Sequence, residues 1–167
     1  MIESTTQHNN LSQRMPKGFK YIELEVGTKK PLSSFDEFLT DITNVQNAGV
    51  LIPSNVVVVD FDSNREIAEK VFNLFPTFAV KTRRGAHLYY KLPKKHNIKS
   101  ENNIITAAGV PVDYKTGANN KNALAVIKQD GIQREIFDVT QQINNLPNLM
   151  YPVSHSKQNL AKFGTGD

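Results

Sequence analysis

Val56-Val57-Val58-Val59-Asp60-Phe61-Asp62 is an apolar run that ends abruptly in two acids one residue apart. Four consecutive β-branched residues are stiff at χ1 and favour an extended strand, and a strand that is apolar at every position is one buried on both faces. Side chains on a strand alternate, so Asp60 and Asp62 point the same way. Two carboxylates sharing one face at the end of a buried strand repel each other, and the usual remedy is a divalent cation or a raised pKa. The same Asp-x-Asp spacing also caps helices and lines ordinary loops, so the pair alone does not assign a metal.

The residues on either side of this run predict the elements around it. Ser63-x-x-Glu66 has the form of a capping box, and Ile67, Ala68, Val71, Phe72 and Phe75 lie on one helical face up to Pro76, predicting an amphipathic helix. Residues 78–82 and 87–92 read as two strands joined at Arg83-Arg84-Gly85-Ala86. A strand follows around 110–115, then a Gly-Asn-rich turn, an apolar strand over 123–127 and a short helix between Val139 and Asn145. Before the valine run, Pro53-Ser54-Asn55 supplies a tight turn, so the small strand 48–52 and the valine strand are expected to form a hairpin. Ser34-Phe35-Asp36-Glu37 matches another capping box, with Phe35, Phe38, Leu39 and Ile42 at helical spacing behind it. Residues 20–26 alternate and suggest a half-exposed strand, and residues 1–16 are polar and read as a flexible leader. This order of elements is that of an α+β fold, with a mixed or largely antiparallel sheet and helices on one side.

Composition bounds the function more loosely. The 167 residues are 39% hydrophobic and 22% charged, which is ordinary for a globular domain with a sizeable core. There is no cysteine, which excludes disulfides and thiolate zinc sites and fits a reducing compartment. The N-terminus lacks the apolar stretch of a signal peptide and no run of about 18 apolar residues occurs, so no membrane role is expected. A net charge of +4 permits a polyanionic partner without demanding one. Neither Gly-x-Gly-x-x-Gly nor Gly-x-x-x-x-Gly-Lys-Ser/Thr is present, so a Rossmann site and a P-loop are unsupported.

Two further patterns carry chemistry. Val112-Asp113-Tyr114-Lys115 alternates, placing Asp113 and Lys115 on one face. If that strand lies beside the valine strand, three carboxylates converge, and three Asp can hold two Mg2+ or Mn2+ ions roughly 3.5 to 4 Å apart. Taken singly, Asp113 is better read as a strand-edge acid paired with Lys115. On the predicted strand pair, His87, Tyr89 and Lys91 share a face, with Lys81, Arg83 and Arg84 on its approach. Guanidinium and imidazole donors suit a nucleoside triphosphate, and Gly85 would let backbone come close to it. Alone, the basic turn is a solvated surface and His87 a core histidine; the acid pair, basic turn and third acid occurring in this order, each at a strand end, favour the nucleotide site.

These residues resemble the archaeo-eukaryotic primase superfamily, specifically the bifunctional primase-polymerase (prim-pol) domains of phages and plasmids. The resemblance lies in residues 57–62, in Thr82-Arg83-Arg84-Gly85-Ala86-His87-Leu88-Tyr89-Tyr90 and in Val112-Asp113-Tyr114-Lys115-Thr116-Gly117. It implies metal ligation by Asp60, Asp62 and Asp113 and binding of nucleotide phosphates by His87, Arg83 and Lys115; Arg84 and Lys81 are weaker candidates for the same binding. Many members carry a serine two before the histidine, where this chain has Gly85, although glycine is common in the phage and plasmid branch. The resemblance further implies an N-terminal α/β unit packed on an RRM-like catalytic unit with flanking helices and a cleft between them. It implies a DNA primase/polymerase working with Mg2+ or Mn2+ on (d)NTPs, a single-stranded DNA template and a primer strand, in the cytoplasm of a bacterial host. On that basis residues 17–150 form the catalytic domain and residues 151–167 a linker towards a helicase or accessory module. A non-catalytic origin-binding module and a metal-dependent nuclease or phosphatase are the alternative classes.

Overall fold

The computed structural model describes residues 14–137 and 142–154. Most of the expected leader, most of the expected linker and the start of the helix expected from Val139 lie outside these residues. In chain order the elements are β1 (Lys20–Glu23), β2 (Ala48–Leu51), β3 (Val56–Phe61), α1 (Arg65–Leu74), β4 (Ala79–Lys81), β5 (Ala86–Lys91), β6 (Glu101–Ile105), β7 (Pro111–Thr116), β8 (Leu124–Gln129), β9 (Ile132–Gln133) and β10 (Asn144–Asn145). They form an α+β fold of two sheets. The larger has the order β10-β5-β3-β7-β6 with β4 alongside β5, and the smaller has the order β1-β2-β8-β9. Every strand pairing is antiparallel except β10 on β5.

The valine run is the central strand of the larger sheet, and all six residues of β3 are buried. Val57, Val59 and Phe61 pack in one cluster with Ala68 and Val71 of α1. Val56 and Val58 face the other way, into a cluster that includes Val50 and Ala125 of the smaller sheet. The helix covers one face and the smaller sheet the other, which is why polar residues at alternate positions are missing from this strand. Each such valine contributes about 1.5–3 kcal/mol through burial. The face bearing Val56 and Val58 continues, by strand alternation, to Asp60.

Several expectations are corrected. The hairpin between residues 48–52 and the valine strand does not form: β2 pairs with β1 and β8, while both edges of β3 are occupied by β5 and β7. The turn at residues 53–55, closed by Val56 N–H donating to Pro53 O at 3.1 Å, instead carries the chain from one sheet to the other. No helix forms over residues 34–42. Ser34 closes a single turn through Asp36 N (3.2 Å) and Glu37 N (3.0 Å), after which Leu39 exchanges both backbone hydrogen bonds with Tyr21, at 2.8 and 2.7 Å. That exchange removes Leu39 from any helical ladder.

The first strand is not half-exposed, because Tyr21 and Ile22 are both buried, in different clusters. α1 starts at Arg65 with Asn64 as its N-cap and no side-chain capping bond, so Ser63 does not cap it. Asn144–Asn145, expected as the end of a helix, is a strand beside Tyr90 and Lys91. Among the described residues one full α-helix, α1, packs against the larger sheet, and a second helical stretch begins at residues 153–154. Met15 and Pro16, placed in the leader by their polar surroundings, are buried.

Candidate active site

Strand register builds the site. Asp60, the fifth residue of β3, is the direct partner of His87 on β5 and of Asp113 on β7. Asp62 follows just past the end of β3. One ligand oxygen from each of Asp60, Asp62 and Asp113 lies within 4.8 Å of the others. Asp60 is buried, Asp113 half-buried and Asp62 exposed, so the cluster runs from the core to the surface. Asp113 Oδ1 accepts a 2.8 Å hydrogen bond from Asn103 N–H. Asn103 has a φ of 57° and sits where the pairing of β6 with β7 shifts register.

Two nitrogenous side chains converge on Asp60. His87 Nε2 lies 3.4 Å and Lys115 Nζ 3.3 Å from Asp60 Oδ2. Burial works to raise the Asp60 carboxyl, but the hydrogen bond and charge of His87, followed by Lys115, outweigh it and hold the group below the ordinary carboxylate range. Asp62 moves the other way, raised by desolvation, by the Asp60 charge and by Asp113. Burial lowers the His87 imidazole, and the pull of Asp60 only partly offsets this. His87 Nδ1 is buried and has no hydrogen-bond partner among the described residues. The Asp113–Lys115 pairing open from sequence is not formed, since Lys115 is turned to Asp60.

A cleft of about 420 Å³ opens beside the acids, and Asp60, Asp62, His87, Lys115, Arg83 and Arg84 all line it. Across from them the smaller sheet contributes Leu124 and Val126 of β8. Lys81 is not among the lining residues: its Nζ pairs with Glu135 at 3.5 Å and lies 5.5 Å from the centre of the Phe137 ring. Arg134 and Lys29 line the cleft and were not singled out from sequence. Arg134 is half-buried and donates from Nη1 to Val126 O at 3.0 Å. Neither sits in a motif, and both arrive from the smaller sheet's connections, so only the tertiary fold reveals them. A larger cavity, about 510 Å³, lies at the opposite end of β3 and has no acid in its lining.

Gly85 has a different reason from the one expected. A Cβ there would lie 1.4 Å from Phe61 O, so the glycine allows the basic turn to seat against the end of β3. A serine at this position would meet the same obstruction. The role is contact between two backbones of the chain.

The donor set fits hard divalent cations: three carboxylates with mutual repulsion, an elevated Asp62 and no soft ligand. Clustered carboxylates beside a basic cleft have the chemistry of sites that hold metal-bound phosphates. The model of the bifunctional DNA primase/polymerase N-terminal family matches residues 14–149, and the chain belongs to this Prim-Pol family. Membership implies DNA primase/polymerase activity, a nucleotidyl transfer. No curated protein and no solved structure matches the chain. No helix among the described residues is long and apolar enough to cross a membrane.

Proposed function

We propose that this chain catalyses metal-dependent, template-directed nucleotidyl transfer from dNTPs or NTPs, with Asp60, Asp62 and Asp113 holding Mg2+ or Mn2+. The supporting observation is the convergence of three carboxylate oxygens within 4.8 Å at the edge of a cleft with a basic wall. Bound divalent cations would supply charge neutralisation at the phosphates and a lowered pKa for the attacking hydroxyl. Phosphoryl transfer asks little covalent chemistry of a protein, so positioning and electrostatic stabilisation carry most of the rate.

Each side chain has a part in this scheme. Arg83 and Arg84 are exposed on the turn between β4 and β5, where a guanidinium can take phosphate oxygens in pairs. Lys115 and His87 hold Asp60 ionised and bring N–H groups to its side of the cleft. Arg134 and Lys29 extend the positive wall. Leu124 and Val126 offer apolar surface for sugar or base without hydrogen-bond selection, which leaves base choice to a template. The larger sheet with α1 serves as the RRM-like catalytic unit, and the smaller sheet forms the opposite lip. Lys81 is a secondary candidate for the template backbone, where binding would weaken with salt.

The test is one gel. The domain is incubated with single-stranded DNA, Mn2+ and labelled dNTP or NTP, with and without a primer, beside Asp60→Ala plus Asp62→Ala. Lengthened product from the wild type and none from the folded double variant is the expected result. Extension by the double variant overturns the assignment, and shortening of a labelled strand by the wild type favours a nuclease.

A further inference from the structure

We propose that Arg65 is a positioning residue that fixes the Arg83–Arg84 turn over the acid-bearing end of β3 and thereby sets the grip on nucleotide phosphates; this rests on the function proposed above. Arg65 is the first residue of α1 and is half-buried. Its guanidinium reaches backbone carbonyls of a single turn: Nε donates to Gly85 O at 3.3 Å, and Nη2 donates to Arg83 O at 3.1 Å and to Thr82 O. The turn is closed from within by Thr82 N donating to Gly85 O and Gly85 N donating to Thr82 Oγ1, each at 3.1 Å.

Gly85 supplies the second attachment, through its close approach to Phe61 O. The turn is therefore fastened at two points, the last residue of β3 and the first of α1, and these two points bracket Asp62. Any shift of α1 relative to β3 would move Arg83 and Arg84 relative to the acids. A planar group with five donors can serve several carbonyls at once, whereas an ammonium group is a point charge that cannot span them. Arg65 forms no ion pair among the described residues, so its charge is directed at the turn.

The geometry separates binding from chemistry. Removing Arg65 leaves the register of Asp60 with Asp113 untouched but frees the turn that carries the phosphate-binding arginines. In steady-state primer extension, R65A is expected to raise KM for dNTP about tenfold while kcat changes by less than about threefold. R65K should retain most of the defect, and millimolar guanidinium, but not urea, should restore KM in R65A. Hydrogen exchange at residues 82–86 should rise in R65A and R65K without nucleotide, while exchange in β3 and β7 stays at the wild-type level.

A wild-type KM in both variants overturns the inference, whether or not exchange changes. So does a fall in kcat as large as the rise in KM, accompanied by faster exchange throughout β3 and β7. If R65A does not fold, R65K carries the same comparison. A wild-type protein that incorporates no nucleotide overturns the parent function and this inference with it, and that result is distinct because the defect then appears before any substitution.

Discussion

Asp60 and Asp113 are register partners across β3 and β7, so two acids from distant parts of the chain stand directly opposite each other. In an antiparallel pair such residues have Cβ atoms about 4.5–5.5 Å apart, and like charges there are destabilising. Asp62 adds a third carboxylate to the same patch. Lys115 and His87 answer the charge of Asp60, while Asp62, with desolvation and two neighbouring acids against it, is left raised.

The repulsion has a measurable sign. Asp62→Asn, which removes one charge from an exposed position, is expected to raise the urea midpoint in the absence of divalent cations and to abolish primer extension. Function and stability then move in opposite directions, as expected where a site is built at the expense of the fold. A lowered midpoint with EDTA present contradicts the repulsion.

Gly85→Ala places a Cβ 1.4 Å from Phe61 O, and backbone must move to relieve it. The cost is expected to be at least about 2 kcal/mol in urea unfolding, with loss of extension. A change below about 0.5 kcal/mol would mean that the turn is not seated on β3.

Burial of the valine run is tested by contrast. Val58 is 0% exposed and Val26 74%. Val58→Ala is expected to cost about 2 kcal/mol in urea unfolding, whereas Val26→Ala should stay within about 0.5 kcal/mol. Equal effects contradict the double-sided packing of β3.

The tyrosines set an alkaline limit. Burial, followed by the charge of Asp41, pushes the Tyr21 hydroxyl up from 10.0 to about 12. Burial also raises Tyr89, Tyr90 and Tyr114. A group that holds its proton more tightly when folded contributes stability that is fully present below the unfolded pKa and is lost as pH rises through the folded one. Stability should therefore fall as pH rises from 10.0 towards about 12, and tyrosinate absorbance should appear together with loss of circular dichroism. Full tyrosine ionisation with the fold intact contradicts this.

What could be read from sequence were the features with strong local periods. The β-branched run, the alternation that aligned Asp60 with Asp62, the helical spacing from Ile67 to Phe75 and the basic turn before His87 all recur in the structure. What could not be read depended on long-range choices. The capping box at Ser34 is a local signal, overridden by the Tyr21–Leu39 backbone exchange. Pro53-Ser54-Asn55 marks a change of direction but not the sheet into which the chain passes. β6 is an edge strand with the polar start Glu101-Asn102-Asn103, without the apolar alternation that would reveal it. Arg134 and Lys29 lie outside every motif and reach the cleft only because β8 and β9 join β1 and β2 in one sheet.

The most direct measurement is a Mn2+ titration followed by electron paramagnetic resonance on the wild type and on Asp113→Asn. The wild type is expected to bind Mn2+, and Asp113→Asn to bind it at least about tenfold more weakly with an unfolding midpoint no lower than that of the wild type. Unchanged affinity in Asp113→Asn, or no binding by the wild type, would contradict a cation site shared between β3 and β7.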